Sequence, residues 1–359
     1  MSTNKTSDTL LIRADANVTM GTGHVMRCLA LAQAWQDAGG KGVFAMVKPS
    51  PSVRERLLSE GMEVVSLEVQ PGSSKDARGV AELASQRAAG WVVADGYHFD
   101  ADYQRVLKTS GLQVLFVDDN AQAGHYAADL VLNQNAHADE GLYPDREPYT
   151  RLLLGTDYVL LRREFEPWRE WKREIPDCGH KILVTMGGSD PDNITLRVVE
   201  ALTHSRIRGL EIMVVVGGSN PYVKSLERRV LESAPSVRWH RNTDNMPELM
   251  AWADMALIAA GGTLWELLFM ACPVLSYARN PVQGGIISDL AGQGAVQDLG
   301  QAQNFDPVSL DAAIAELAGS AERRRQMSAM GRERVDGRGA GRLCELLISH
   351  EVSNLPRYL

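Results

Sequence analysis

The sequence predicts an α/β protein made of two Rossmann-like, doubly wound domains in tandem. Three observations carry that expectation. Short β-rich apolar runs alternate with amphipathic helical stretches, as in parallel sheets covered by helices on both faces. The alternation is interrupted once near the middle and then restarts. At 359 residues the chain also exceeds what one hydrophobic core ordinarily fills.

In the first half the elements run LLIRADA then HVMRCLALAQAWQDAGG, GVFAMVK then SVRERLLSEG, WVVADG then DADYQRVLKTSG, and QVLFVDD. Each apolar run is short and β-branched or aromatic, and each partner repeats its apolar residues at helical spacing. EFEPWREWKREIPDCGHK breaks the pattern with charges, tryptophans and a Pro-Asp turn signal, as expected of an interdomain connection. The alternation resumes with KILVTMGGSD, NITLRVVEALTH, LEIMVVVGGSN, PYVKSLERRVLESA, MALIAAGG, TLWELLFMA and CPVLSYARN. The expected boundaries are a first domain at 1–166, a linker at 167–180, a second domain with a C-terminal helix at 181–345, and a tail at 346–359. The charged stretch SAERRRQMSAMGRERVDGRGAGRLCELLISHE has helical spacing and is expected to pack outside, bridging back to the first domain.

Composition narrows the function. The chain is 45% hydrophobic and 23% charged with a net charge of −8, and no Lys/Arg run would track a phosphate backbone, so no nucleic-acid partner is expected. No apolar stretch approaches the roughly 20 residues that span a bilayer, and MSTNKTSDT lacks the apolar core of a signal peptide. A cytoplasmic protein without stable membrane association is the expectation. Cys28, Cys178, Cys272 and Cys344 are scattered without metal-ligand spacing and read as buried thiols.

Open sheets place their chemistry in the turns that follow strand C-termini, which draws attention to GTGH, MGGSD and AAGGTLWE. A dinucleotide fingerprint needs a third small residue and an acid at the end of the next strand. Here Met26 takes the third position, and GVFAMVKPS ends without Asp or Glu. What remains is a helix N-terminus carrying His24 in its first turn. A second positive charge is disfavoured there, which favours the neutral imidazole that serves as a general base. Arg13, Asp15 and Asn17 alternate at the end of the preceding strand and share one face, either toward a site or into solvent. In MGGSD, Gly188 lets backbone amides approach an anion, while Ser189 or Asp190 can cap the helix that Asn193 leads into. In AAGGTLWE, Thr263 and Glu266 stand at capping-box spacing. Alternatively Gly261, Gly262 and Thr263 hold a diphosphate and Glu266, an acceptor-only carboxylate, takes the hydroxyls of a ribose. Trp265 reads as core.

RADANVTMGTGHVMRCLALA, LFVDDNA, ADLVLNQNA, GTDYVLLRREF, ILVTMGGSD and AAGGTLWE, in this order over roughly 10–340, together resemble the UDP-2,4-diacetamido-2,4,6-trideoxy-β-L-altropyranose hydrolases of pseudaminic acid synthesis. The resemblance implies the GT-B fold, two domains facing across a cleft, similar to the N-acetylglucosaminyltransferase that completes the lipid-linked peptidoglycan precursor. It implies a nucleotide on the C-terminal domain and a sugar reaching the N-terminal loop. The implied reaction is hydrolysis at the anomeric carbon with inversion, releasing UDP, with no metal and no cofactor. Carried onto this chain, His24 is the essential loop histidine, Asp95 and Tyr97 form the Asp-x-Tyr element, and Glu266 binds ribose. The expected catalytic group is therefore His24, Asp15 and Tyr97. Arg13, Gly21, Gly23, Asp95, Gly188, Ser189, Asp190, Gly261, Gly262, Thr263 and Glu266 form the expected substrate-binding set. One departure bears on sugar recognition: Gly96, not His, lies between Asp95 and Tyr97, and His98 follows.

Three alternatives stand beside this reading: a GT-B glycosyltransferase using a UDP-sugar donor, a hydrolase of a different nucleotide sugar, and a nucleotide-sugar binding protein without catalysis. A lipid acceptor would favour a basic and apolar patch, and VKPSPSVRERLLSEG is only mildly basic. Loss of catalysis would be expected to degrade the histidine turn, and GTGH is intact. The expected partner is a small-molecule UDP-sugar, with the chain a monomer or weak homodimer.

Overall fold

The computed structural model describes residues 8–17, 20–205, 207–231, 236–241 and 243–353. The chain divides into two compact units, one comprising 1–16, 24–163 and 338–359, the other 17–23 and 164–337. Among the described residues no helix is long and apolar enough to cross a membrane.

The first unit is a seven-stranded sheet in the order β3-β2-β1-β4-β5-β6-β7, with every pairing parallel. Its strands are β1 (Thr9–Ala14), β2 (Lys41–Val47), β3 (Glu63–Leu67), β4 (Ala89–Asp95), β5 (Gln113–Val117), β6 (Leu130–Asn133) and β7 (Arg151–Leu154). The helices between them are α1 (Gly23–Asp37), α2 (Pro51–Ser59), α3 (Ser74–Gln86) and α4 (Ala101–Thr109). Every residue of β1 is buried. Leu10 and Ile12 join one apolar layer with Leu29 of α1 and Trp91 of β4. Leu11 joins the opposite layer with Val43, Val92 and Phe116. A strand covered on both faces explains why these runs read as continuously apolar.

The second unit is a six-stranded parallel sheet in the order β10-β9-β8-β11-β12-β13. Its strands are β8 (Lys181–Thr185), β9 (Glu211–Val216), β10 (Val237–Arg241), β11 (Met255–Ala259), β12 (Val274–Ala278) and β13 (Val296–Gln301). Helices α5 (Ile194–Thr203), α6 (Val223–Leu231), α7 (Met246–Trp252), α8 (Gly262–Phe269) and α9 (Pro281–Gly292) lie between them, and α10 (Pro307–Gly319) and α11 (Ala321–Arg334) follow. Ile182, Val184, Val214 and Leu257 pack with Ile194, Val198 and Ile314 in one of its apolar layers.

The expected boundaries need two corrections. The expected linker at 167–180, together with 164–166 from the expected first domain, groups with the second unit. Arg173 fastens this stretch by donating to the carbonyls of Met250 at 2.6 Å and Met270 at 3.1 Å, near the C-terminal ends of α7 and α8. The C-terminal helix, α12 (Gly339–Ser353), belongs with the first unit and not with the second. Its Leu343, Cys344 and Leu347 enter the layer around Trp91, and the Trp91 indole donates to the Leu347 carbonyl at 3.2 Å. Each buried leucine contributes about 1.5–3 kcal/mol, and that apolar stripe overrides the charge of the tail.

Because all pairings are parallel, the C-terminal ends of the strands gather along one edge of each sheet. The strand order reverses between β1 and β4 in the first sheet and between β8 and β11 in the second. Helices leave the sheet on opposite sides of such a reversal, opening a crevice where α/β proteins bind ligands. GTGH follows β1, MGGSD follows β8 and AAGGTLWE follows β11, so every glycine turn singled out in the sequence falls at a reversal.

Candidate functional site

At the first reversal the site is built from side-chain charge. Asp95 ends β4 and pairs in register with Ala14 of β1, which sets its carboxylate beside the start of α1. His24, Arg27 and Cys28 lie three and four residues apart on α1 and so share one helical face, and all three reach Asp95. The His24 Nδ1 lies 2.6 Å from Asp95 Oδ1. Arg27 grips both oxygens of the same carboxylate, at 2.6 and 2.7 Å, and the Cys28 thiol donates to Oδ2 at 3.3 Å. Asp95 is fully buried. Burial alone would raise its carboxyl, but Arg27 and His24 outweigh it and hold Asp95 well below the usual carboxylate range. Arg27 Nη2 also lies 3.1 Å from Nδ1, but an ionised carboxylate only accepts, so in the neutral imidazole the proton is assigned to Nδ1 and Nε2 is the acceptor.

Asp119, just after β5, completes this group. It accepts from Arg27 Nη1 at 2.7 Å and from the Tyr97 hydroxyl at 3.2 Å. The Tyr97 ring meets the His24 ring edge-on at 4.8 Å between centroids and is 52% exposed. Burial of its hydroxyl end and the facing Asp119 push that hydroxyl up, so it stays protonated and donates.

Arg13 and Asp15 behave differently from expectation. Arg13 is fully buried, and its guanidinium is taken by Asp76 at 3.0 Å, the Ala45 carbonyl at 3.4 Å and Asp15 at 2.8 Å. It lies over the Phe99 ring. Arg13 is thus neither a solvated strand end nor a substrate ligand: a cation buried in the sheet needs every donor satisfied. Asp15 accepts from the Val47 amide at 2.7 Å, and its other oxygen faces His98 Nε2 at 3.5 Å. It belongs to the Arg13 group and not to the imidazole, a correction to its catalytic assignment. Burial and Arg13 together push His98 down. Asn17 closes its turn by pairing with Gly21, whose φ of 77° suits glycine, and Gly23 opens α1. Asp95 is corrected as well. With both oxygens occupied inside the protein it orients His24 instead of touching substrate.

The second reversal is built from main chain. Gly187 adopts φ 87°, and the turn continues through Gly188 and Ser189 into Asp190. Asp190 is fully buried and caps α5, its two oxygens accepting from the Ile194 and Thr195 amides at 2.9 Å. It is therefore a helix cap and not a substrate ligand. Among the described residues Ser189 Oγ and Asn220 Nδ2 are buried without a hydrogen-bond partner, in the neighbouring turns after β8 and β9. Gly217 packs so closely on the first of these turns that a Cβ there would stand 2.3 Å from the Gly188 carbonyl oxygen. Across the reversal, α8 starts at Gly262 with Gly261 as its N-cap and no side-chain cap. The T-x-x-E capping box is therefore not formed, because the helix begins one residue before Thr263. Glu266 lies half-buried on α8 while Trp265 is core.

Arg27, Cys28 as a donor and Asp119 went unnoticed in the sequence. The signal for the first two was their spacing from His24. For Asp119 it was the Asp-Asp pair directly after an apolar strand. Cys178 is exposed, whereas the other three cysteines are buried, so it departs from the expectation of four buried thiols.

Two parallel-sheet Rossmann-like units with polar turns at their reversals define a GT-B protein. A solved MurG of Acinetobacter baumannii shares this fold, with a TM-score of 0.65 at 15% identity over 95% of this chain and 99% of that one. No family model matches the chain. It is 30% identical over 247 residues to the spore coat polysaccharide biosynthesis protein SpsG of Bacillus subtilis, covering 67% of this chain and 70% of that protein. It is 24% identical over 275 residues to the UDP-2,4-diacetamido-2,4,6-trideoxy-beta-L-altropyranose hydrolase of Campylobacter jejuni, covering 76% and 92%. It is also 27% identical over 282 residues to the uncharacterized protein MJ1062 of Methanocaldococcus jannaschii, covering 76% of this chain and 56% of that protein. The chain belongs to the family of SpsG and the Campylobacter hydrolase, as its motifs imply.

Proposed function

We propose that this protein is a nucleotide-sugar hydrolase that releases UDP and 2,4-diacetamido-2,4,6-trideoxy-L-altrose. The observation that carries the reading is the His24–Asp95 contact at 2.6 Å, which leaves Nε2 as the proton-accepting nitrogen. Water attacks the anomeric carbon as His24 Nε2 takes its proton. The new C–O bond forms on the face opposite the departing diphosphate, the old C–O bond breaks, and the configuration inverts. His24 is the base in this scheme, and the main-chain amides of Gly187, Gly188, Gly261 and Gly262 are suited to the diphosphate charge that grows as the bond breaks. Glu266 accepts from the ribose hydroxyls and Ser189 offers a further polar contact. No step in this scheme requires a metal.

The test is turnover of UDP-2,4-diacetamido-2,4,6-trideoxy-β-L-altrose by EDTA-treated protein in ¹⁸O-water, with mass spectrometry of both products. Label in the free sugar and none in UDP is expected. Label in UDP means attack at phosphorus and overturns the scheme, and turnover only with an added sugar or lipid acceptor makes the protein a transferase.

A further inference from the structure

Arg27 lies between two carboxylates, and only one of them holds His24. Asp95 takes His24, Arg27 and Cys28, whereas Asp119 takes the far side of Arg27, the Tyr97 hydroxyl and the Asn135 amide. With Asp95 and Asp119 ionised, Arg27 cationic and His24 neutral, the set carries one negative charge. It becomes neutral when His24 gains a proton. Without Asp119 the set would already be balanced with a neutral imidazole, and a proton arriving at His24 would leave it with a net positive charge.

We propose that Asp119 is a positioning residue that readies His24 to take a proton, its carboxylate offsetting the charge of Arg27, which also holds both oxygens of Asp95, so that the group keeps one negative charge beside the imidazole. The inference rests on His24 as the base. Side-chain exposures of 12% for Arg27, 14% for Asp119 and 0% for Asp95 keep solvent screening weak. Burial opposes ionisation of Asp119, but Arg27 outweighs it, so Asp119 is held below its ordinary range. The other titratable groups facing His24 are uncharged: burial raises Cys28 on α1 and Tyr97 after β4, and burial and Arg13 lower His98. Beyond them, at the end of β1, Arg13 sits among Asp15 and Asp76.

The experiment is an NMR titration of the His24 ring in the full chain without substrate, comparing the native protein with Asp119→Asn, Asp119→Glu and Arg27→Met. Asp119→Asn should move the midpoint down by roughly one pH unit, Arg27→Met should move it up, and Asp119→Glu should restore the native value. The acidic limb of kcat/KM should move with the midpoint in each variant. Opposite signs separate charge from damage, because a loosened fold would move both in one direction. If Arg27→Met does not fold, Asp119→Asn and its rescue by Glu decide the question. An unchanged midpoint in Asp119→Asn overturns the proposal. Midpoints that move as stated, in a protein whose His24→Ala variant still turns over, uphold the counter-charge and remove the base role instead.

Discussion

The two sheets reverse their strand order in the same way and furnish the reversal with opposite materials. At the β1–β4 reversal stand His24, Arg27 and Asp95, with Asp119 reaching in from the end of β5, joined by hydrogen bonds of 2.6 to 2.7 Å. Between β8 and β11 stand glycine turns and a helix start that no side chain caps. The difference teaches what each reversal is suited to. Proton transfer needs side chains whose charge states can change, whereas an anion that is only held and released needs fixed dipoles. One topology is thus suited to two chemistries, and the turn residues set which.

The comparison can be broken or sharpened by substitution. Replacing His24 with Ala should have the largest effect, a loss of at least about 10³-fold in kcat, with UDP affinity measured by calorimetry nearly unchanged. Equal loss of UDP binding would mean the two reversals are not chemically separate. Asp95→Asn should lower kcat by about 10²-fold, because an amide can present its N–H to Nδ1 and favour the wrong tautomer. It should also lower thermal stability, since Arg27 and Cys28 lose a buried acceptor; a variant as active as the native chain would show that the imidazole orients without Asp95. In the second unit, Gly217→Ala forces the Gly188 turn to shift and should weaken UDP binding about tenfold while leaving the His24 titration in place. Glu266→Gln should have the smallest effect, raising KM a few-fold with little change in kcat, since it removes binding shared by ground and transition states. A fall in kcat larger than the rise in KM would give Glu266 a part in the chemistry itself.

The division of labour was only partly legible in the sequence. Continuous apolar runs such as LLIRA and KILVT announced strands buried on both faces, and the glycine turns announced segments that fall at the strand-order reversals. Strands β3, β6, β7, β10 and β13 went unread. β10 (VRWHR) and β13 (VQDLGQ) are sheet-edge strands with polar, partly exposed positions, and β6 and β7 are four residues long, so neither pair carries the apolar signature of a central strand. The histidine turn was legible because its neighbours are local. What His24 leans on was not, because Asp95 and Asp119 lie 71 and 92–95 positions away: Asp95 reaches His24, and Asp119 reaches Arg27 92 positions off. Only sheet register brings those residues to one edge. Arg13 misled for a related reason: a charged residue at a strand end usually faces water, and here buried Asp76 of α3, 63 positions away, meets it together with the neighbouring Asp15.

The return of α12 to the first unit has a consequence for biosynthesis. A ribosome delivers β1 to β7 long before it delivers Leu343 and Leu347, so until then Trp91 and its layer lack their last cover. The second unit, contiguous apart from the short loop at 17–23, has all its strands and helices in hand by Arg334. The half of the molecule that is made first is therefore completed last, and a nascent chain halted near residue 337 would display an apolar stripe for chaperones to bind.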